Sequence, residues 1–202
     1  MLNNYLKYLN MLDEKLNQFF EKQKPYIFCK KGCAKCCKNA RYPFSEIEFQ
    51  YLITGYKTLP ENTKQKICSN IKNILEKKNI NEDFNYQCPF LIDDICSIYK
   101  YRGIICRTFG LLNTAEPKGT EIPFCTLEGL NYSNVYDTKE RRISEKMFAK
   151  LHIQQEPIVF NVRYDFLTSQ DFGNGYGFKF GEVQPLIKWL EKSEIFSKKN
   201  LS

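Results

Sequence analysis

Four cysteines fall within nine residues, in the stretch Cys29-Lys30-Lys31-Gly32-Cys33-Ala34-Lys35-Cys36-Cys37. No other feature constrains the chain as strongly. Thiolates this dense repel one another unless a soft cation neutralises them, and left free they are reactive. A second set follows at Cys88, Cys96, Cys106 and Cys125. The pattern predicts a protein that binds a metal ion. Zinc and iron, the latter also as an iron–sulfur cluster, are the cations that such ligands select.

The spacing says how the sulfurs could be used. Gly32 sits inside the first group, where glycine permits the positive φ that wrapping a cation requires. The intervals between Cys29, Cys33 and Cys36 suit a shared tetrahedral centre. Cys36 and Cys37 are adjacent, and neighbouring side chains diverge, to opposite faces if extended and by about 100° if helical. They are therefore expected to serve two different metals, or two irons of one cluster. Four thiolates from each group would complete two centres whose ligands mix the early and late cysteines. The competing arrangement is one closed site at residues 29–37, with the later group independent.

Charge agrees with this use. The formal net charge is +7 with neutral cysteines. Eight thiolates around two divalent ions would leave the chain only mildly positive, so the basic excess largely balances sulfur. Lys30, Lys31, Lys35, Lys38 and Arg41 surround the first group, where ammonium groups lower thiol pKa values. The alternative use of this loop, residues 30–41, is docking of an acidic protein or RNA partner.

Nine cysteines is an odd number. The start MLNNYLKYLN lacks the uninterrupted apolar core of a signal peptide, and no window is apolar enough for a membrane span. A cytoplasmic, reducing location is expected, which disfavours a disulfide framework. The sequon Asn131-Tyr132-Ser133 then carries no meaning.

Along the chain, Leu2, Tyr5, Leu6, Leu9, Leu12, Leu16, Phe19 and Phe20 recur at helical spacing over about residues 2–22, and Pro25 follows as a stop. Ser45-Glu46-Ile47-Glu48 reads as a capping box opening a helix with Ile47, Tyr51 and Leu52 inward and closed by Gly55 and Pro60. A third helix is predicted over 62–78, with Ile67, Ile71, Ile74 and Leu75 on one face. Cys68 lies beside that stripe and reads as a small apolar residue rather than a ligand. Two apolar runs flank Asp93-Asp94, predicting a hairpin with solvated turn carboxylates. Without a turn, Cys88 and Cys96 would stand ~26 Å apart.

Further helices are expected over 138–152, with Ile143, Met147, Phe148 and Leu151 inward, and over 182–192. A half-buried strand is expected over 157–166. Gly173, Gly175, Gly177 and Gly181 do not satisfy the dinucleotide fingerprint and read as turns. His152, the one histidine, sits at a helix end far in sequence from the cysteines. The tail at Lys198-Lys199-Asn200 is expected to fray. With plentiful Phe and Tyr and no domain-scale linker, residues 1–202 predict a single small α+β domain, mostly α, with an irregular metal-stapled centre over about 29–125 and a short hairpin.

Cys29-x-x-x-Cys33-x-x-Cys36-Cys37, Cys88-Pro89-Phe90-Leu91, Cys96-Ser97-Ile98-Tyr99 and Cys106-Arg107 together resemble the cysteine-cluster family of zinc- or iron-chelating domains (YkgJ-like, CxxCxxCC type). The resemblance covers about half the chain. It implies eight metal-binding cysteines: Cys29, Cys33, Cys36, Cys37, Cys88, Cys96, Cys106 and Cys125. Members usually carry Arg-Pro where this chain has Arg102-Gly103. Flagellin lysine N-methylases resemble the family too, so an iron–sulfur enzyme of protein modification stands beside a zinc-stabilised macromolecule-binding module as an alternative.

The Cys29–Cys36 spacing also matches the cluster motif of radical S-adenosylmethionine enzymes. That chemistry needs one iron left open, whereas Cys37 offers a fourth thiolate, and the strand–helix alternation of a barrel is missing. Arg102 and Arg107 are the candidates for holding an anionic cofactor beside the metal, through bidentate guanidinium geometry, with structural pairing to Asp or Glu as the other use.

Overall fold

The structure is a computed structural model that describes residues 1–78, 84–115, 119–153 and 155–196. The fold is α+β and mostly helical. In chain order come α1 (Leu2–Lys22), α2 (Lys35–Lys38), β1 (Pro43–Ser45), α3 (Glu46–Lys57), α4 (Glu61–Lys78), β2 (Leu91–Ile92), β3 (Ile95–Cys96) and α5 (Ile104–Thr108). They are followed by β4 (Asn113–Thr114), β5 (Thr120–Glu121), β6 (Tyr136–Asp137), β7 (Arg142–Ile143), α6 (Glu145–Lys150), α7 (Tyr164–Leu167), α8 (Gln170–Tyr176), β8 (Val183–Pro185) and α9 (Leu186–Lys192). Among the described residues the strands pair two by two, β1–β8, β2–β3, β4–β5 and β6–β7, all antiparallel. Among the same residues no helix is long and apolar enough to cross a membrane.

The chain divides into two compact units. One comprises Met1–Leu2, Lys31–Cys106 and the C-terminal segment from Phe178. Its core gathers Phe44, Phe49, Leu52, Ile67, Ile71 and Leu190. The predicted capping box opens α3: the backbone N–H and hydroxyl of Ser45 both donate to Glu48 Oε2, at 2.9 and 2.7 Å. This satisfies donors that the first helical turn leaves unpaired. Phe49 stacks on Trp189 with ring centroids 5.4 Å apart, and the indole N–H donates to the Phe44 carbonyl. Helix α4 buries Ile67, Ile71 and Ile74 as the stripe predicts. Cys68 packs beside them, 3.3 Å from the Tyr56 hydroxyl.

The hairpin around Asp93-Asp94 forms. Both aspartates have positive φ, 51° and 57°, the geometry of a two-residue turn matched to strand twist. Their carboxylates face solvent and meet Lys66 and Lys38. The last helix is shorter than its periodicity predicts. Residues 183–185 pair with β1 instead, and Pro185 becomes the cap of α9.

The other unit comprises Asn3–Lys30 and Arg107–Gly177. Helix α1 buries Tyr5, Tyr8, Leu9, Leu12 and Leu16. Phe19 stacks on Phe160 at 4.1 Å. A smaller core joins Tyr26, Leu112, Tyr132 and Val135. The helix expected from 138 starts only at Glu145. Asp137 Oδ1 accepts the N–H groups of Lys139 and Glu140, at 2.8 and 3.0 Å. That local turn competes with the first helical turn and sends the chain into the β6–β7 hairpin.

The strand expected over 157–166 is extended only in part. Phe160 bridges Asn113, and the chain coils into α7 at Tyr164. Gly173 and Gly175 lie inside α8 rather than in a turn, and Gly177 ends that helix with φ of 72°. His152 follows α6 with φ of 52°. Lys198, Lys199 and Asn200 lie outside the described residues, as does the side chain of Phe148.

Gly55 is where packing overrules helix propensity. A Cβ there would sit 2.3 Å from the Tyr101 ring. Alanine favours a helix interior over glycine by about 1 kcal/mol, but forcing the ring aside costs about 1–3 kcal/mol. Gly55→Ala is therefore expected to lower the denaturant midpoint, and an unchanged or higher midpoint would contradict this packing.

Candidate metal centre

Five cysteines of the first unit converge through local devices that the sequence supplies. Gly32 and Ala34 both take positive φ, 84° and 47°, and turn the chain into the four-residue helix α2, which carries Cys36 and Cys37. The Tyr42 hydroxyl donates to the Cys36 carbonyl at 2.7 Å and holds that turn. The Cys37 carbonyl accepts the backbone N–H of Cys88 at 2.7 Å, which ties the first group to the second. The hairpin then returns the chain, so that Cys96 pairs with Leu91.

Cys106 rides on α5, whose first residue is fixed from α3. Glu48 Oε1 accepts the Ile104 N–H at 2.7 Å. Gly103 lets this carboxylate and the Phe44 ring approach, since a Cβ there would meet Phe44 at 2.7 Å. One buried carboxylate thus serves the start of two helices.

The electrostatics show the thiols acting on one another. The Cys37 thiol donates to the Cys36 sulfur, which lowers Cys36 to about 7 and keeps Cys37 protonated. Burial pushes Cys88 up to about 12, with Cys96 adding to the effect. Burial also raises Cys96, which Arg102 partly offsets. Cys106 is raised well above the ordinary thiol range by burial, then by Cys88, Cys96 and Cys36. Tyr42 is raised by burial and by Cys36, Cys106, Cys37 and Cys88. Burial and neighbouring like charge disfavour the thiolate at Cys37, Cys88, Cys96 and Cys106, whereas the hydrogen bond from Cys37 favours it at Cys36.

The contact between Cys36 and Cys37 departs from the divergence that adjacency predicts. Their Cα–Cβ bonds leave the helix at different angles, yet one rotatable bond each is enough to turn the sulfurs together. All nine cysteines are free thiols. Among the described residues, no three His, Cys, Asp or Glu side chains form a ready-made metal site.

The donor set fits a soft cation. It is rich in sulfur, and the nearby carboxylate of Glu48 already accepts from Ser45 and Ile104. Hard cations such as calcium and magnesium select oxygen ligands instead. Cys33, half-buried, belongs to the same unit.

Cys29 and Cys125 lie in the second unit. Both raise the Tyr132 hydroxyl, after the larger effect of its burial. The Cys29 sulfur meets the side chain of Asn131 at 3.2 Å. Arg107 is also here, nearly buried, with Nη1 donating to both carboxylate oxygens of Asp13 at 2.7 and 2.5 Å. Arg102, in the first unit, lies over the Tyr99 ring at 3.8 Å and donates to the Tyr99 carbonyl.

Cysteines of the early and late groups thus come within electrostatic reach of one another in the first unit. Sequence reasoning did not find Tyr42, Asn131 or the second contact of Glu48. Tyr42 stands five residues beyond Cys37, which is a weak signal. Glu48 was visible only as a capping residue, and Asn131 only as a sequon.

These features define a cysteine-cluster metal-binding region. Residues 28–126 match the family described as CxxCxxCC, "Putative zinc- or iron-chelating domain". No curated protein and no solved structure matches the chain.

The raised thiols give binding a definite pH dependence. A metal takes the thiolate, so each protonated ligand must release its proton, and affinity falls as pH falls. Zinc affinity of the metal-free chain, measured by competition with a chromophoric chelator, is expected to drop steeply between about pH 8 and pH 6. A flat profile would mean that the thiols are not the ligands.

Proposed function

We propose that this chain is a metal-chelating module that holds zinc or iron through cysteine thiolates, with the centre serving mainly to tie its own segments together. Cys36, Cys37, Cys88, Cys96 and Cys106 carry the reading and Cys33 joins them, while Cys29 and Cys125 of the second unit count as ligands through the family's cysteine pattern. The supporting observation is the mutual electrostatic influence of five thiols on separate short segments.

Those segments are a four-residue helix, a hairpin with two residues per strand and a five-residue helix. Elements this short are not stable alone. A cation bound to several sulfurs would supply the missing cross-link, and structural zinc in small peptides binds with about 10–16 kcal/mol. Lys30, Lys31, Lys35, Lys38 and Arg41 then offset thiolate charge. Lys38 also meets Asp94 at 2.7 Å, which leaves less of its charge for an acidic protein or RNA.

An active iron centre that holds an anionic cofactor through Arg102 and Arg107 is the competing reading. It would require Arg107 to exchange its contact with Asp13. Purification without oxygen, with metal and sulfide analysis and a visible spectrum, separates the two. The structural reading predicts bound zinc without colour, or iron that lends stability and no turnover. Cys68→Ala is expected to keep full metal content, while Cys37→Ala and Cys106→Ala lose metal. Equal loss from Cys68→Ala would undo the assignment.

A further inference from the structure

Asn131 is fully buried, and its side chain is held from three sides. Its Oδ1 accepts the Phe28 backbone N–H at 2.8 Å, and its Nδ2 donates to the Gly110 carbonyl at 3.0 Å. These backbone partners have opposite polarity, so they fix which end of the amide carries oxygen and which nitrogen. Nδ2 also donates to the Cys29 sulfur at 3.2 Å, and the Cys29 thiol donates to Oδ1 at the longer distance of 3.4 Å, a bond that the thiolate form gives up while keeping the first.

The approach depends on Gly110, whose φ is 106° and where a Cβ would stand 2.7 Å from Nδ2. The Asn131 carbonyl accepts the Thr126 hydroxyl at 2.6 Å. One residue therefore links the backbone before Cys29 to the residue after Cys125.

We propose that Asn131 is the positioning residue for Cys29, holding its loop and presenting an N–H to the sulfur in its metal-bound thiolate form. The inference rests on the reading that Cys29 is a ligand. A donor aimed at sulfur favours the charged form over the neutral one. Partners that orient a ligand from outside the coordination sphere typically account for about 10- to 100-fold in metal affinity.

The test uses the full chain, made metal-free under reducing conditions and loaded with cadmium. Asn131→Asp keeps the size of the side chain and an acceptor for Phe28, but removes both N–H donors. It is expected to weaken cadmium binding about tenfold or more, with circular dichroism unchanged. Unchanged affinity would overturn the inference.

A second measurement needs no variant. In the wild-type chain loaded with NMR-active cadmium, coupling should reach both the Cys29 β-protons and the Asn131 side-chain N–H. Coupling to Cys29 without Asn131 overturns the inference and leaves Cys29 a ligand. Coupling only to other cysteines overturns the ligand role of Cys29 and the inference with it.

Discussion

A thiolate removed from water is tolerable only beside positive charge. That constraint governs the first unit. Cys88, Cys96 and Cys106 are each raised first by burial, and the sulfurs then disfavour one another's ionisation. Core packing alone gives no reason to gather five thiols rather than five aliphatic groups. A soft cation does, since it converts the least favourable charge distribution into ligation. Arg102, which partly offsets the rise at Cys96, fits the same electrostatic logic.

The hydrophobic core supplies the frame in which these sulfurs meet. Helices α3 and α4 are long enough to be set by their apolar stripes, and α3 carries a complete capping box. Glu48 passes that order on. One oxygen closes the start of α3 and the other holds the start of α5, which delivers Cys106. The donors on both oxygens offset part of the desolvation cost of this buried carboxylate, which unpaired oxygens would leave in full. The short elements around the cysteines are thus placed by a few hydrogen bonds rather than by their own stability.

Much of this was legible in the sequence. The α1 stripe, the capping box at Ser45 and Glu48, and the Asp93-Asp94 hairpin follow from periodicity and turn chemistry, and each forms. Cys68 stands beside an apolar helical stripe, and it packs there against the core. What stayed hidden depends on contacts distant in sequence or on a competition between local bonds. Asp137 wins its backbone donors away from a helix that periodicity favours. Residues 183–185 are captured by β1, far away in the chain. Adjacent Cys36 and Cys37 turn their sulfurs together through side-chain torsions that no spacing rule encodes.

Sulfur, not oxygen or nitrogen, is expected to surround the metal. X-ray absorption at the metal edge of the loaded full-length chain tests it most directly. A nearest shell of sulfur alone is expected, at about 2.3 Å for zinc. A nearest shell dominated by oxygen or nitrogen at about 2.0–2.2 Å would contradict it.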